Sequence, residues 1–345
     1  MAVRAVFWEN DRDEAFAVHC RACSHACRIE EGAFGRCRIR VNREGVLYSL
    51  SSDRLATVNL DPVEKKPLYH FLPGTTTLSF GTPGCNLTCS FCQNHTLSQG
   101  PVPAFGTPLP EMPCDFADRA VASALEAGAV SVSFTYNEPF VSPELILAVA
   151  PRAKEAGLAS ILVSNAFAGK DSSPAFKDYV RAANFDLKSF RDDFYRDICG
   201  ARLAPVLHTI ERAVGFGWWV ELTTLLIPGH NDSDEELASI ARFIKGNLGA
   251  NVPWHISRFR PMFRMLKTPP TPVSSLERAV SIGLAEGLSF VYAGNVPGHD
   301  AENTRCPECG KIALMRAGYR TDKGFDGVCR CCGAALAGVW RMTWL

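Results

Sequence analysis

Short runs of β-branched and aromatic residues alternate along most of this chain with stretches of helical character. Residues 76–80, 130–134, 160–164, 184–188, 218–226, 254–259 and 289–292 read as strands. Residues 115–127, 143–155, 205–214, 234–245 and 276–284 read as helices, the first two stopped by Gly128 and Gly157. Strand–helix alternation predicts a parallel sheet with right-handed crossovers. Six or seven such units are too few for a closed eight-unit barrel, so the expected α/β architecture is a partial (β/α)6-type barrel. Functional sites in such barrels lie where strands end and loops begin.

The chain has 345 residues and no formal net charge, enough for one large domain with small appendages. Neutral balance argues against nucleic acid as an electrostatic partner. No apolar run approaches the roughly 20 residues of a membrane span. The amino terminus is apolar only briefly before Glu9 and does not read as a secretory signal. Fourteen cysteines, twelve of them gathered in tight clusters, without a signal, point to metal ligation in a reducing cytoplasm rather than to disulfides. The clusters suggest three regions: a four-cysteine module over residues 1–70, a catalytic body over 71–298 and a ribbon over 299–345. The Pro- and Gly-rich stretch 99–113 reads as a loop over one face.

Cys20, Cys23, Cys27 and Cys37 can close a coordination shell; zinc fits, and so does a fully ligated second iron–sulfur cluster. Cys306 and Cys309 with Gly310, and Cys329 and Cys332 with Gly333, form two CxxCG knuckles that predict a structural zinc ribbon. Cys331 is spare, and Cys114 and Cys199 stand alone as ordinary thiols. Cys85, Cys89 and Cys92 are different. Their CxxxCxxC spacing supplies three thiolates and no fourth, so they can grip one face of a [4Fe–4S] cluster and leave one iron open. The amino and carboxylate groups of S-adenosylmethionine (SAM) can chelate an open iron, and one electron then releases a 5′-deoxyadenosyl radical. The plainer alternative is part of a zinc site, or buried structural thiols.

Polar residues gather at the predicted strand ends. Asn137 and Glu138 follow the second strand, and Asn165 closes the third. Asp186 and Lys188 share one side of the fourth by the two-residue period. An acid and a base inside a barrel are costly unless paired or functional, so a structural ion pair is the alternative there. Glu221 and Thr223 face one way along the fifth strand, and His255 lies on the sixth, where a satisfied core histidine is the plainer reading. Residues 61–74, dense in Lys, Tyr and His, read as a solvated loop or as a lid over a pocket.

The triad with Phe91, Gln93 and Asn94 resembles the radical SAM superfamily, and Asp186-Leu187-Lys188 and Pro253-Trp254-His255 resemble segments of glycyl-radical activases. The full ordering, with the amino-terminal cysteines, residues 61–71, Tyr136-Asn137-Glu138-Pro139 and the terminal ribbon, resembles the radical SAM enzyme of the AmmeMemoRadiSam system, a relative of pyruvate formate-lyase activating enzymes. The resemblance implies that Cys85, Cys89 and Cys92 hold the cluster and that Asn137, Glu138, Asn165, Asp186, Lys188 and His255 line the SAM site. Asn137 and Glu138 stand where the family often has Gly-Gly-Glu for the methionine amino group. Lys188 would meet the methionine carboxylate, and His255 the ribose or sulfonium side. Implied partners are a flavodoxin or ferredoxin reductant and Memo-like and AMMECR-like proteins; the implied reaction is hydrogen abstraction from an unidentified substrate. The rival readings are an activase that installs a glycyl radical on a partner protein and a non-catalytic metal-bearing scaffold or nucleic-acid binder. Neutral charge and the open triad weigh against the last.

Overall fold

Eight strands form one continuous sheet in a computed structural model that describes residues 3–14, 16–51, 55–101 and 113–342. They are β1 (Thr57–Pro62), β2 (Thr76–Gly81), β3 (Ser131–Phe134), β4 (Ala159–Ser164), β5 (Val180–Asp186), β6 (Trp219–Leu226), β7 (Trp254–Arg258) and β8 (Val291–Gly294). Each neighbours the next in sequence order. From β2 to β8 all pairings are parallel, and β1 runs antiparallel along the β2 edge. The expected partial barrel with a central parallel sheet is therefore present, with one edge strand that the sequence pattern did not show. Residues 57–62 do alternate, but Val58 and Leu60 point outward and are half exposed, so the segment lacks the apolar density of a buried strand.

Helices α1 (Phe116–Glu126), α2 (Pro143–Glu155), α3 (Leu203–Gly215), α4 (Asp234–Phe243) and α5 (Val273–Ala285) supply crossovers. Each buries one stripe: Val206, Ile210 and Ala213 on α3, and Leu237, Ile240 and Ala241 on α4. Pro143 opens α2, where its missing N–H costs nothing. Ser233 caps α4 by accepting from Glu236 N at 3.3 Å. Several bounds differ from expectation; α5, for one, starts at Val273 rather than 276. β5 starts at Val180 rather than 184, through a register irregularity between Val180 and Ala182, and ends at Asp186, so Lys188 lies beyond it. β8 runs Val291–Gly294 rather than 289–292. α4 gives way to a wider turn over Ile244–Leu248.

The amino-terminal residues build a three-stranded sheet and a hairpin around Val18, Cys20, Ile29 and Leu47. The carboxy-terminal residues build two short hairpins around Cys306, Leu314, Phe325 and Cys329, in one cluster with Tyr69 and Tyr292 of the body. Residues 102–112 of the stretch expected as a loop lie outside the described residues. Among the described residues no helix is long and apolar enough to cross a membrane.

Candidate active site

β2 delivers the chain directly into the triad. After Gly81 it turns through Gly84, whose φ is +84° and where a Cβ would come within 2.8 Å of the Cys37 carbonyl oxygen, so a side chain is excluded there. The loop that follows is pinned from outside: Thr88 N donates to Cys199 O at 2.9 Å and Ser90 N to Ile198 O at 3.1 Å. Leu87 N donates to Cys85 Sγ at 3.4 Å, and Ser98 Oγ lies 3.1 Å from Cys92 Sγ.

Cys85, Cys89 and Cys92 border a cavity of about 540 Å³ at the ends of the parallel strands. All six of the polar residues expected at a cofactor site (Asn137, Glu138, Asn165, Asp186, Lys188 and His255) line the same cavity. Sheet register explains part of this: Asp186, Thr223, His255 and Tyr292 stand side by side across β5 to β8.

The side chains differ in what they have free. Asn137 is committed to the loop: its Nδ2 donates to Thr82 Oγ1 at 2.8 Å and Gly84 O at 2.9 Å, and its Oδ1 accepts from Thr82 N at 3.1 Å. Asn165 Nδ2 donates to Asn86 Oδ1 at 2.8 Å and lies 3.7 Å from Cys85 Sγ. Glu138 is fully buried and accepts from Phe140 N at 3.0 Å, Ser164 Oγ at 2.8 Å and Asn165 N at 2.8 Å. Burial pushes its pKa up to about 7, against the pull of those donors. Lys188 Nζ lies 2.8 Å from Asp186 Oδ2. Burial works against the Lys188 charge, but Asp186, with Cys89 and Cys199 beside it, outweighs that and holds the pKa well above the ordinary lysine range. His255 Nε2 faces Glu221 Oε2 at 2.6 Å, with its ring between Tyr69 and Tyr292.

Two features escaped sequence reasoning, and a third, residues 61–74, takes up in part the expected place of a lid over a pocket. Cys199, expected as an ordinary thiol, hydrogen-bonds Cys89 and pulls its pKa down. Tyr319 of the ribbon reaches the cavity wall. Within 61–74, Lys65, Lys66 and Tyr69 line the cavity, whereas His70 is buried against the ribbon, with Nδ1 2.7 Å from Ala337 O and Nε2 2.5 Å from Tyr292 OH.

Two other cysteine groups flank the body. Cys306 Sγ lies 3.6 Å from Cys332 Sγ and Cys309 Sγ 3.8 Å from Cys329 Sγ. All four sulfurs fall within 4.8 Å of one another, the only such group among the described residues. Sulfurs at about 2.3 Å from one tetrahedral zinc stand roughly 3.8 Å apart, so the set fits a single ion. Gly310 N donates to Cys306 O at 2.9 Å and Gly333 N to Cys329 O at 2.8 Å, each with φ above +70°, a left-handed turn that glycine adopts without strain. Cys20, Cys23 and Cys37 are buried and Cys27 half-buried around the amino-terminal sheet, where Cys20 N donates to Cys27 O at 2.8 Å.

The family model described as the Radical SAM superfamily matches residues 80–244, which span the triad loop and β3 to β6. The chain is 39% identical to the uncharacterized protein MJ0808 of Methanocaldococcus jannaschii over 312 residues, 90% of this chain and 91% of that protein. It is 28% identical to the isethionate sulfite-lyase activating enzyme of Oleidesulfovibrio alaskensis over 114 residues, 32% of this chain and 37% of that one. A crystallised domain of the pyruvate-formate lyase-activating enzyme of Bacteroides vulgatus superposes with a TM-score of 0.42 at 18% identity, covering 48% of this chain and 99% of that domain.

Proposed function

The chain belongs to the radical SAM superfamily, and from that premise we propose that it cleaves SAM reductively at a [4Fe–4S] cluster held by Cys85, Cys89 and Cys92 and abstracts hydrogen from a substrate bound in the same cavity. The observation that carries this reading is the convergence of three thiols with Glu138, Asn165, Asp186 and Lys188 on one cavity at the strand ends. The donor set fits the group: three sulfur ligands from one short loop, a cation held charged beside them, and an amide touching the first sulfur. When bound, the cluster and SAM supply a carbon-centred radical.

The protein's own part is positioning. Asn137 and the Cys199 and Ile198 carbonyls fix the loop that carries the thiols. Lys188 offers an ammonium to the methionine carboxylate, and Asp186 orients that ammonium. Glu138, already holding three donors, is the carboxylate suited to a methionine amino group and fixes the Asn165 backbone. A flavodoxin or ferredoxin is the electron donor in this reading, Memo-like and AMMECR-like proteins are its partners as in the AmmeMemoRadiSam resemblance, and a reducing cytoplasm suits its free thiols. The ribbon carries zinc, and Cys20, Cys23, Cys27 and Cys37 hold zinc or a second iron–sulfur cluster. The likeness to the isethionate sulfite-lyase activating enzyme favours a second reading, activation of a partner protein through a glycyl radical.

The test is anaerobic reconstitution with iron and sulfide, followed by EPR of the reduced protein with and without SAM and assay for 5′-deoxyadenosine. Replacing all three triad cysteines by Ala should abolish the SAM-sensitive signal; its survival would refute the assignment. A product extracted from a metabolite pool supports the main reading, and a radical formed on an added protein the second.

A further inference from the structure

At the β1 edge of the cavity the wall is made by Lys65, Lys66, Tyr136 and Tyr319, none of which the SAM reading uses. Behind them Asp61, buried at the end of β1, takes a hydrogen bond from Lys65 Nζ at 2.7 Å on one oxygen. Its other oxygen takes Lys66 Nζ at 2.6 Å and the Tyr136 hydroxyl. Lys66 is 1% exposed, and its Nζ stands 4.5 Å from the Tyr136 ring centroid. Glu64, their neighbour in the chain, also lines the cavity but bonds neither lysine: one oxygen accepts from Gly74 N at 2.6 Å, the other has no hydrogen-bond partner, and burial pushes its pKa up.

One carboxylate thus serves two ammonium groups, and it already accepts from three donors. The cluster has a surplus positive charge, and each ammonium has three N–H groups of which Asp61 takes one. A lysine is expensive to bury: burial, the largest influence, brings the Lys66 pKa down to about 8 in spite of Asp61. A purely structural pair would be neutral, one cation to one anion. The second cation on a cavity wall is what an anionic ligand requires.

We propose that Lys65 and Lys66, seated on Asp61 and Tyr136, form a subsite for a carboxylate or phosphate group of the substrate. The proposal rests on the radical SAM reading and adds to it the charge class of the molecule that accepts the radical. SAM's single carboxylate has its own cation in Lys188, so the lysine pair serves a second anion.

The experiment uses reconstituted, SAM-saturated protein and two probes, malonate as a carboxylate and inorganic phosphate, titrated by calorimetry into the wild type, Lys65→Met and Lys66→Met. One probe should bind the wild type, and each substitution should weaken it about tenfold or more, while SAM affinity, titrated separately, stays within about twofold. Which probe binds identifies the anion. Lys65 is 42% exposed at its side chain, so Lys65→Met tests the idea even where Lys66→Met fails to fold. Probe binding that is absent from the wild type, or indifferent to Lys65→Met, overturns the subsite. So does a loss of SAM affinity equal to the loss of probe affinity, which would assign the lysines to SAM. Failure of the radical SAM reading looks different: no 5′-deoxyadenosine forms from any variant or from the wild type.

Discussion

Nε2 of His255 and Oε2 of Glu221 lie 2.6 Å apart, both side chains buried, on adjacent strands β7 and β6. Glu221 is the hub of the contact. It also accepts from Tyr69 N at 2.9 Å, His70 N at 2.7 Å and Trp219 Nε1 at 2.9 Å. Burial opposes its charge, but these partners win and hold its pKa below the usual carboxylate value. The arrangement ties the segment before β2 to the barrel, and with it Tyr69 on the cavity wall.

Glu221→Ala should therefore destabilise the protein by about 3–5 kcal/mol, because four donors, three of them buried and two of them backbone amides, lose their acceptor. Glu221→Gln keeps one acceptor oxygen and should cost less. Urea unfolding of both variants measures this. A cost below about 1 kcal/mol for the alanine variant would mean that the segment is held by packing alone.

Lys188→Ala should weaken SAM binding roughly ten- to a hundredfold, since a charge-assisted hydrogen bond to a carboxylate contributes about 1.5–3 kcal/mol. Iron content should not change. Equilibrium SAM titration of the reconstituted variant decides it. Wild-type affinity would assign Lys188 to a structural ion pair with Asp186, a role that their 2.8 Å contact also permits.

Much of this site was legible in the chain. Cysteine spacing announced the triad and the knuckles, because ligands to one centre must be close in space and short loops make them close in sequence. Strand-end residues were legible because a two-residue period and a parallel sheet bring them to one rim. What stayed hidden depends on long-range packing. Thr57–Pro62 alternates, but its identity as a strand comes from pairing with Thr76–Gly81. Cys199 carries no local motif; only the approach of residues 198–199 to the triad loop puts its thiol on Cys89. Tyr319 reaches the cavity because the ribbon folds back onto the body, with Leu72 N donating to Val339 O at 2.7 Å.

His70 makes that docking sensitive to acid. Ala337 O can only accept, so Nδ1 carries the proton and Nε2 accepts from Tyr292 OH. Burial lowers the pKa to about 4, whereas an unfolded histidine titrates near 6.5. The unfolded chain therefore binds the extra proton first. The His70 contribution to stability is complete above about pH 6.5 and is lost as pH falls toward 4. Thermal unfolding between pH 7.5 and 4.5 should show a steeper acid loss for wild type than for His70→Gln, whose amide can make both contacts without titrating. Parallel curves for the two proteins would remove His70 as the cause.

The ribbon should carry one zinc per chain on Cys306, Cys309, Cys329 and Cys332. Sulfur pairs at 3.6 and 3.8 Å match one tetrahedral ion, and structural zinc contributes on the order of 10 kcal/mol to small modules of this kind. Deleting the ribbon is a poor test, because Arg316 Nη2 donates to Tyr69 O at 2.7 Å and Val339 N to His70 O at 2.7 Å, so removal would strip the body of partners it needs. Cys309→Ser combined with Cys332→Ser removes two ligands and leaves those contacts in place. Metal analysis should then find one zinc fewer per chain, with iron unchanged. The damage should reach the cavity too, since Tyr319 borders it and Arg316 stacks 4.3 Å from the Tyr69 ring centroid. Limited proteolysis should show earlier cleavage within 299–342 in the double variant. An unchanged zinc count would mean that these four sulfurs hold no zinc.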